Sequence, residues 1–212
     1  MTKHYPGKTE MLELLKQRGI SDEQVLKAME KIRREDFLSE PFKLRAYDDC
    51  ALPIGHEQTI SQPFTVAVMT QFLNFKRGDK ILEIGTGSGF QAAVLYEMGA
   101  RVFTIERNLE LHKKAKEYFS KNNLSVISKY GDGTIGWIEH APFNGIIVTA
   151  GAPIVSESLK NQLSENGKLI IPVGKYSEQD ILIIEKKENN FITKTIPGFK
   201  FVPLVGKEGW EK

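Results

Sequence analysis

A strand-like run that ends in three alternating glycines constrains the fold of this chain more than any other feature. Ile81–Ile84 has the mostly apolar composition of a buried strand, and Gly85, Gly87 and Gly89 follow it before a helical pattern begins. Glycine tolerates the backbone angles of a tight turn and lets the main chain approach a ligand closely. In open α/β sheets such loops lie at the carboxyl ends of strands, where ligands bind. We therefore predict a ligand-binding α/β sheet.

Apolar runs and helical patterns alternate after this point, as in chains that form parallel sheets. Helical periodicity covers 90–98 and 108–121, while Ile181–Lys187 and Phe191–Ile196 flank a polar turn and predict an antiparallel hairpin. Strand, helix and strand in succession form right-handed crossovers. We therefore predict an α/β fold with a doubly wound, mostly parallel, seven-stranded sheet and antiparallel edge strands. Its earlier strands are expected at Ile81–Ile84, Val102–Ile105, Val126–Ser128, Gly145–Thr149 and Leu169–Val173.

The remaining residues predict a helical extension on the N-terminal side of this sheet. We expect one domain over 1–212, with the extension at 1–60 and the α/β core at 61–212. Two amphipathic helices are predicted within 9–38, where Gly19 divides them.

Several residues mark where the helices in and after this extension are expected to begin. Ser21 and Gln24 have the spacing of a capping box, which predicts the start of the second helix. Residues 39–60 carry the prolines and glycines of irregular structure. A further helix is predicted at 62–74, with Ser61 as its cap.

Composition excludes several classes of protein. The chain has 212 residues, with 29 Lys and Arg against 27 Asp and Glu, and its net charge of +2 is too small to favour nucleic acid. Cys50 is the only cysteine and cannot form an internal disulfide, and the four histidines are too scattered for a metal site. The sequence predicts neither a signal peptide nor a membrane span. We therefore expect a soluble cytoplasmic protein, a monomer or small oligomer with the monomer favoured, without metal, membrane or nucleic-acid partners.

The glycine spacing distinguishes between nucleoside cofactors. The third glycine comes one residue earlier than in a dinucleotide fingerprint, and the Gly-Lys-Ser/Thr of a phosphate-binding loop is missing. Glu106 follows Gly85 by about 20 residues, where a carboxylate can bind ribose hydroxyls. A sulfonium cation tolerates the nearby carboxylate of Glu83, whereas a pyrophosphate does not. The residues favour S-adenosylmethionine, and the alternative is a glycine turn that serves tight packing alone.

Six segments of the sequence resemble the protein-L-isoaspartate (D-aspartate) O-methyltransferase family, and together they cover nearly the whole chain. The most specific are Leu52–Pro63 and Phe201–Val205, because many other methyltransferases share the glycine loop. The resemblance implies the Rossmann-like fold of class I methyltransferases, with an altered order among the last strands that suits the predicted hairpin. The other matching segments are Ile81–Leu95, Gly131–Gly133, Phe143–Pro153 and Leu169–Gly174.

The resemblance implies a protein repair enzyme. The family transfers a methyl group from S-adenosylmethionine to the α-carboxylate of L-isoaspartyl residues, and S-adenosylhomocysteine is the second product. D-aspartyl residues are a further candidate substrate. The methyl ester closes to a succinimide, which partly hydrolyses to normal aspartate. Damaged, isoaspartyl-containing proteins and peptides are therefore the expected partners.

The resemblance also assigns roles by position. Ser61 is expected to be catalytic and to bind substrate together with Val202, Pro203 and Leu204. Asp132 is expected to accept a hydrogen bond from the adenine amino group. The residues expected to bind the cofactor are Thr59, Ile60, Gln62, Glu83, Gly85, Thr86, Gly87, Ser88, Gly89, Glu106, Arg107, Asp132 and Gly133.

Methylation of a carboxylate requires few catalytic groups. A carboxylate with a pKa of about 4 is already ionised at neutral pH and needs no general base. A neutral hydroxyl such as that of Ser61 orients the anion with less loss of nucleophilicity than a paired Arg or Lys would cause. The alternative that Ser61 is only a helix cap stays open, and His56 is expected to be structural.

The sequence leaves two other functions open. A methyltransferase of this fold could act on a small molecule or a nucleic acid, although Thr149–Pro153 replaces the Asn/Asp-Pro-Pro-aromatic motif of base methylation. Cys50 also lacks the proline context of the nucleophile that methylates base carbon. The other alternative is a non-catalytic adaptor that binds the cofactor only.

Asn144 stands where the family usually has an aspartate, and Gly145 follows it. The sterically free glycine amide can attack the asparagine side chain, so this pair is a damage site of the kind that the family repairs. We expect burial at the entrance of the fourth strand to protect Asn144, with slow deamidation in partly unfolded protein.

Overall fold

The computed structural model describes residues 7–188 and 190–211. The two helices predicted within 9–38 are present, and the second is followed by a separate 3-10 turn at Arg34–Phe37. A second 3-10 turn and a short β-hairpin complete the N-terminal extension. The regular elements of this extension are α1 (Lys8–Gln17), α2 (Glu23–Lys31), β1 (Leu52–Gly55) and β2 (Gln58–Ile60).

The predicted cap of α2 is wrong by one residue. Asp22, not Ser21, precedes the helix, and its carboxylate accepts hydrogen bonds from the backbone N–H groups of Gln24 at 2.8 Å and Val25 at 3.3 Å. The backbone N–H of Ser21 instead donates to the Oε1 atom of Gln71 at 2.8 Å. Both residue types cap helices well, so the sequence could not choose between adjacent candidates.

The β1–β2 hairpin occupies a segment that was expected to be irregular. Leu52 pairs with Ile60 in antiparallel register. The exposed turn residues His56 and Glu57 have φ angles of 53° and 59°. These angles suit a two-residue hairpin turn, but the pair lacks the Asn-Gly or Asp-Gly signal by which such turns are recognised. The hairpin matters for the site because β2 leads directly into Ser61.

A seven-stranded sheet forms the centre of the fold. In chain order its strands are β3 (Lys80–Ile84), β4 (Arg101–Glu106), β5 (Ile127–Tyr130), β6 (Phe143–Val148), β7 (Leu163–Lys175), β8 (Glu178–Lys187) and β9 (Asn190–Phe199). Their spatial order is β5-β4-β3-β6-β7-β8-β9. The first five run parallel, and β8 is antiparallel to both of its neighbours. The predicted α/β sheet and its antiparallel hairpin are confirmed.

Helices cover both faces of this sheet. Helices α3 (Pro63–Leu73), α4 (Phe90–Glu97) and α5 (Leu109–Lys121) share one core with α1 and α2, whereas α6 (Glu157–Asn161) packs on the other face. Successive strand residues point to opposite faces, so Ile81 lies in one core and Leu82 in the other. Because parallel strands end at the same edge of the sheet, the loops after β3, β4 and β6 meet there.

Helix α3 begins at Pro63, and Ser61 does not cap it. The residue before the helix is Gln62, whose side chain makes no capping hydrogen bond. Asp49 serves the helix end instead, because its Oδ1 atom accepts a hydrogen bond from the backbone N–H of Phe64 at 2.9 Å. The expectation that Ser61 caps this helix is therefore wrong.

Residues 201–211, here called the tail, return from β9 to the carboxyl edge of the sheet. The backbone N–H of Gly151 donates to the carbonyl oxygen of Val202 at 2.8 Å, and that of Leu204 donates to the carbonyl oxygen of Gly151 at 2.8 Å. The indole N–H of Trp210 donates to the same Gly151 carbonyl at 2.9 Å. The hydroxyl of Ser156 donates to Glu208 at 2.7 Å. The tail is thus fixed against the loop that follows β6.

Asn144 is exposed, so the expectation that burial protects it is wrong. Its Oδ1 atom accepts a hydrogen bond from the backbone N–H of Lys80 at 2.9 Å. Gly145 pairs with Ile81 of β3 on one side and with Lys168 of β7 on the other. The strand register, rather than burial, restrains this Asn-Gly pair.

Membrane spans, metal clusters and disulfides were not expected from the sequence. Among residues 7–188 and 190–211, no helix has both the length and the apolar character needed to cross a membrane. The same residues contain no group of three or more His, Cys, Asp or Glu side chains that could hold a metal ion. Cys50 is a half-buried free thiol.

Candidate active site

A cavity opens at the carboxyl ends of β3, β4 and β6, where the glycine loop was predicted to bind a ligand. It encloses about 850 Å³, counting the part that is open to solvent, and is called the loop cavity here. Its walls come from the β2–α3 junction, the glycine loop, the end of β4 and the tail. The predicted site residues that line it are Thr59, Ile60, Ser61, Glu83, Gly85, Thr86, Gly87, Ser88, Glu106, Arg107, Gly133, Val202, Pro203 and Leu204.

The glycine loop has a backbone that other residues would strain. Gly85, Gly87 and Gly89 have φ angles of 93°, 53° and 90°. A Cβ atom on Gly85 would lie 2.5 Å from the Oγ1 atom of Thr149. That hydroxyl donates a hydrogen bond to the carbonyl oxygen of Gly85 at 2.6 Å. The loop is therefore held in place from β6, and its glycines, which have no side chains, let the main chain come close to a ligand.

Glu106 joins the glycine loop to the end of β4. Its Oε2 atom accepts a hydrogen bond from the backbone N–H of Gly87 at 2.8 Å, and its Oε1 atom accepts one from Asn108 at 2.7 Å. An ionised carboxylate has about four acceptor positions, so two are left for a ligand. A carboxylate that is fixed in this way can bind a pair of vicinal hydroxyls.

Glu83 lies in the wall of the loop cavity and is 0% exposed. The hydroxyl of Thr104 donates to its Oε2 atom at 2.5 Å, while its Oε1 atom has no hydrogen-bond partner among the described residues. Burial, together with the negative charge of Glu106, raises the pKa of Glu83 to about 8. A positively charged ligand in the cavity would supply the missing partner and favour the ionised form.

Ser61 lies where the loop cavity meets a second cavity. This second cavity is formed by the β2–α3 junction and the chain from Ile196 to Val202, and is called the tail groove here. Its mostly apolar walls include the rings of Phe64 and Phe199, which are parallel with centroids 6.5 Å apart. Ser61 is half-buried and lines both cavities, as Thr59, Thr65, Thr149 and Val202 also do, so it belongs to the junction between them.

Comparison of the whole sequence with known protein families identifies the class of enzyme to which this site belongs. Residues 6–209 match the family model of protein-L-isoaspartate (D-aspartate) O-methyltransferase. The chain belongs to this family. The methyltransferase is 48% identical over 202 residues to a protein-L-isoaspartate O-methyltransferase of Chlorobium phaeobacteroides, covering 95% of this chain and 94% of that protein. A relative with the same name from Pelodictyon phaeoclathratiforme is also 48% identical, over 95% of this chain and 92% of its own.

Solved structures agree with the sequence relatives. A protein-L-isoaspartate O-methyltransferase superposes on 95% of the methyltransferase and 67% of its own chain, with a TM-score of 0.85 and 29% identity. A β-aspartate methyltransferase of Plasmodium falciparum was solved in complex with S-adenosyl-L-homocysteine. It superposes on 94% of the methyltransferase and 98% of its own chain, with a TM-score of 0.81 and 27% identity. The predicted family is confirmed, and with it the predicted S-adenosylmethionine-dependent protein-L-isoaspartate O-methyltransferase activity and its cofactor.

The loop cavity of the methyltransferase suits S-adenosylmethionine. A positively charged group would favour the ionised form of buried Glu83, whose Oε1 atom has no hydrogen-bond partner among the described residues, and Glu106 presents a fixed carboxylate. Gly133 lines the cavity, and a Cβ atom there would lie 2.6 Å from Ile84 Cγ2, so the close approach of these two segments requires glycine. Among the described residues that line the cavity there is no cluster of lysines that could bind a phosphate.

Three predicted cofactor residues lie outside the lining of the loop cavity. Gln62 lines the tail groove instead. Gly89 packs against α5, where a Cβ atom would lie 2.9 Å from the ring of Phe119. Asp132 binds the tail, because its Oδ2 atom accepts a hydrogen bond from the backbone N–H of Lys207 at 2.8 Å. The role predicted for Asp132 toward adenine therefore gains no support from the geometry.

Several lining residues were missed by the sequence reasoning. Thr149 follows the fourth parallel strand, and its position at a strand end was a usable signal. Thr65, Met69 and Gln91 lie inside helices α3 and α4 and gave no such signal. They reach the cavity because α4 packs on β3 and β4 while α3 packs on β6, β7 and β8, which depends on contacts between distant parts of the chain.

Proposed function

We propose that this methyltransferase acts at Ser61, methylating the α-carboxylate of L-isoaspartyl residues in damaged proteins and peptides. The observation that carries the proposal is the position of Ser61 between the loop cavity and the tail groove. The loop cavity holds the methyl donor and the groove holds the polypeptide, so the donor and the acceptor meet at this serine. D-aspartyl residues are a second substrate that the same groove could admit.

The donor is held by the glycine loop and two carboxylates. When bound, S-adenosylmethionine supplies an electrophilic methyl group, whose transfer to a carboxylate oxygen leaves S-adenosylhomocysteine and a methyl ester. The backbone of Gly85 and Gly87 contacts the donor closely, and Glu106 binds its ribose hydroxyls. Glu83 stabilises positive charge at the cavity wall. Fixed positions for both reactants can contribute on the order of 7 to 11 kcal/mol toward lowering the barrier.

Ser61 orients the acceptor without lowering its reactivity more than necessary. The substrate carboxylate is already ionised at neutral pH, so the site needs no general base. The Ser61 hydroxyl donates one neutral hydrogen bond to it, and Val202, Pro203 and Leu204 of the tail exclude water around it. A site poor in water favours the loss of charge that accompanies methyl transfer.

The tail groove suits an extended polypeptide rather than a small acid. It extends from the Ser61 junction along the chain Ile196–Val202, and counting its open part it encloses about 1400 Å³. Phe64 and Phe199 offer apolar surface to flanking side chains. Isoaspartyl polypeptides are thus the partners that the groove suits, and we further propose that the enzyme acts as a cytoplasmic monomer without nucleic-acid partners.

A paired-peptide assay tests this proposal. The enzyme is incubated with S-adenosylmethionine labelled on the methyl group and with either an isoaspartyl peptide or its aspartyl twin. We expect label in the isoaspartyl peptide only, released as methanol when the ester closes to succinimide. Equal labelling of both peptides, or labelling of small acids alone, would reject the proposal. Cofactor binding without any methyl transfer would identify a binding adaptor instead.

A further inference from the structure

Arg34 is the most deeply buried cation among the described residues that contact the site. Its side chain is 1% exposed and lies on the 3-10 turn Arg34–Phe37 of the N-terminal extension. The guanidinium carbon lies 5.5 Å from the centroid of the Phe90 ring, at the start of α4. Burial lowers the pKa of Arg34 to about 10, so the side chain is still positively charged at neutral pH.

The guanidinium group connects three segments through their carbonyl oxygens. Its Nη1 atom donates to Ala46 at 3.2 Å, and its Nη2 atom donates to Cys50 at 3.4 Å and to Ser61 at 2.9 Å. None of the ion pairs found between residues of the described chain includes Arg34. The shortest of the three bonds holds the backbone of the serine that lies between the two cavities.

A structural role alone does not account for this charge. Burying a charged group without an ionic partner is costly, and an apolar side chain of similar size could fill the same space at less cost. The positive charge of Arg34 would contribute to function if an anion bound at Ser61 on the side opposite Arg34. The acceptor in the proposed reaction is a carboxylate bound at that serine.

We propose that Arg34 is a positioning residue for methyl transfer, and this inference rests on the proposed function. By holding the Ser61 carbonyl, Arg34 fixes the direction of the serine hydroxyl. Its positive charge, which Asp48 and Asp49 offset only from beyond ion-pair distance, lies behind the serine and attracts the substrate carboxylate, but it makes no direct ion pair that would quench the nucleophile. Arg34 thus acts through Ser61 and does not itself contact the substrate.

The variants R34M and R34K test this role, with Y47F as a matched control. R34M removes the charge and all three hydrogen bonds, whereas R34K keeps the charge but not the fork of donors. Tyr47 donates to Glu35 at 2.5 Å on the same 3-10 turn and makes no hydrogen bond to Ser61, so Y47F destabilises the extension without releasing the serine. For each protein, kcat and KM are measured with an isoaspartyl peptide, together with the Kd for S-adenosylmethionine and the Tm.

We expect kcat to fall about tenfold to hundredfold in R34M, with a smaller loss in R34K. The cofactor Kd should stay within about twofold of the wild-type value, and Y47F should lower the Tm while keeping kcat. Wild-type kcat in R34K, or an equal loss of kcat in Y47F, would overturn the inference. R34K decides the matter if R34M does not fold. Failure of the wild-type enzyme on the isoaspartyl peptide would instead reject the proposed function, and the inference with it.

Discussion

Asp132 is hydrogen-bonded to the backbone N–H of Lys207 at 2.8 Å, which joins the turn after β5 to the tail. Its other carboxylate oxygen accepts hydrogen bonds from the backbone N–H and the hydroxyl of Thr134 at 2.8 and 2.7 Å. The tail in turn supplies Val202 to Val205 to the wall of the loop cavity. Asp132 therefore shapes the cofactor site through the tail.

The variant D132A should weaken cofactor binding without removing any atom from the cavity lining. Loss of the hydrogen bond to Lys207 frees one end of the tail, and we expect the Kd for S-adenosylmethionine to rise about tenfold. Isothermal titration calorimetry measures this change. The Kd of D132N, which keeps one acceptor oxygen, should lie between those of the wild-type enzyme and D132A. Unchanged affinity in D132A would show that the tail holds its position without this bond.

The Asp132 interaction also predicts acid sensitivity of the tail. Although burial opposes it, hydrogen bonds from Lys207 and Thr134 hold the pKa of Asp132 below its usual value. A lowered pKa in the folded state means that the stabilising contribution is present above the unfolded-state pKa and is lost as the pH falls through the folded-state pKa. Proteolysis within the tail should therefore accelerate at acid pH in the wild-type enzyme. In D132A this cleavage should depend less on pH, and an identical pH profile in the two proteins would contradict the prediction.

Ser61→Ala should lower kcat about tenfold to hundredfold while leaving the Kd for S-adenosylmethionine within about twofold. The alanine removes the hydroxyl that orients the acceptor, but the glycine loop and Glu106 still hold the donor. Steady-state kinetics with an isoaspartyl peptide and direct cofactor titration measure the two effects. Ser120→Ala, on the exposed end of α5, is the control. Equal losses in kcat and cofactor affinity would mean that Ser61 acts only through the local fold.

Glu83→Gln should change how the stability of the cofactor-free enzyme depends on pH. The raised pKa of Glu83, about 8 against an ordinary 4.5, means that its contribution to stability is fully present below pH 4.5 and is lost as the pH rises through 8. Relative to E83Q, the wild-type enzyme should lose about 1 kcal/mol of unfolding free energy per pH unit within this window. Urea denaturation at several pH values measures the difference. A constant difference from acid to alkaline pH would contradict it.

The two Asn-Gly pairs of the chain should deamidate at different rates in the folded enzyme. Gly145 is paired on both sides, whereas the register of β7 against β6 shifts between Leu163 and Lys168, a stretch that contains Asn166 and Gly167. The restrained glycine amide of the first pair cannot easily reach the Asn144 side chain. Peptide mapping after incubation at alkaline pH should therefore find modification at Asn166 before Asn144 in folded protein. Denatured protein is the control, in which both sites should deamidate at similar rates. Faster deamidation of Asn144 than of Asn166 in the folded enzyme would contradict the prediction.

The sheet and the glycine loop could be predicted because their signals are local. Alternating apolar runs mark the strands, and three glycines after Ile84 mark the turn that the loop needs. The β1–β2 hairpin escaped prediction because His56 and Glu57 adopt positive φ angles, which cost energy in residues other than glycine, and the pair lacks the Asn-Gly or Asp-Gly turn signal. A short sequence window cannot show that cost being met by the surrounding structure.

The remaining site residues depend on contacts between distant parts of the chain. The sequence places Asp132 in a turn typical of ligand binding, but in the structure its carboxylate accepts a hydrogen bond from the backbone of the tail. Arg34 reads in sequence as one of several surface charges, and only the folded chain shows it buried behind Ser61. Thr149 stands at a strand end in the sequence, but its hydrogen bond to Gly85 depends on β6 lying beside β3.

The tail closes the loop cavity with residues that follow the whole sheet in the chain. A nascent chain that has completed the seven strands still lacks Val202 to Val205, and so lacks one wall of the cavity. The repair enzyme can therefore complete its methyl-donor site only after translation has passed this segment.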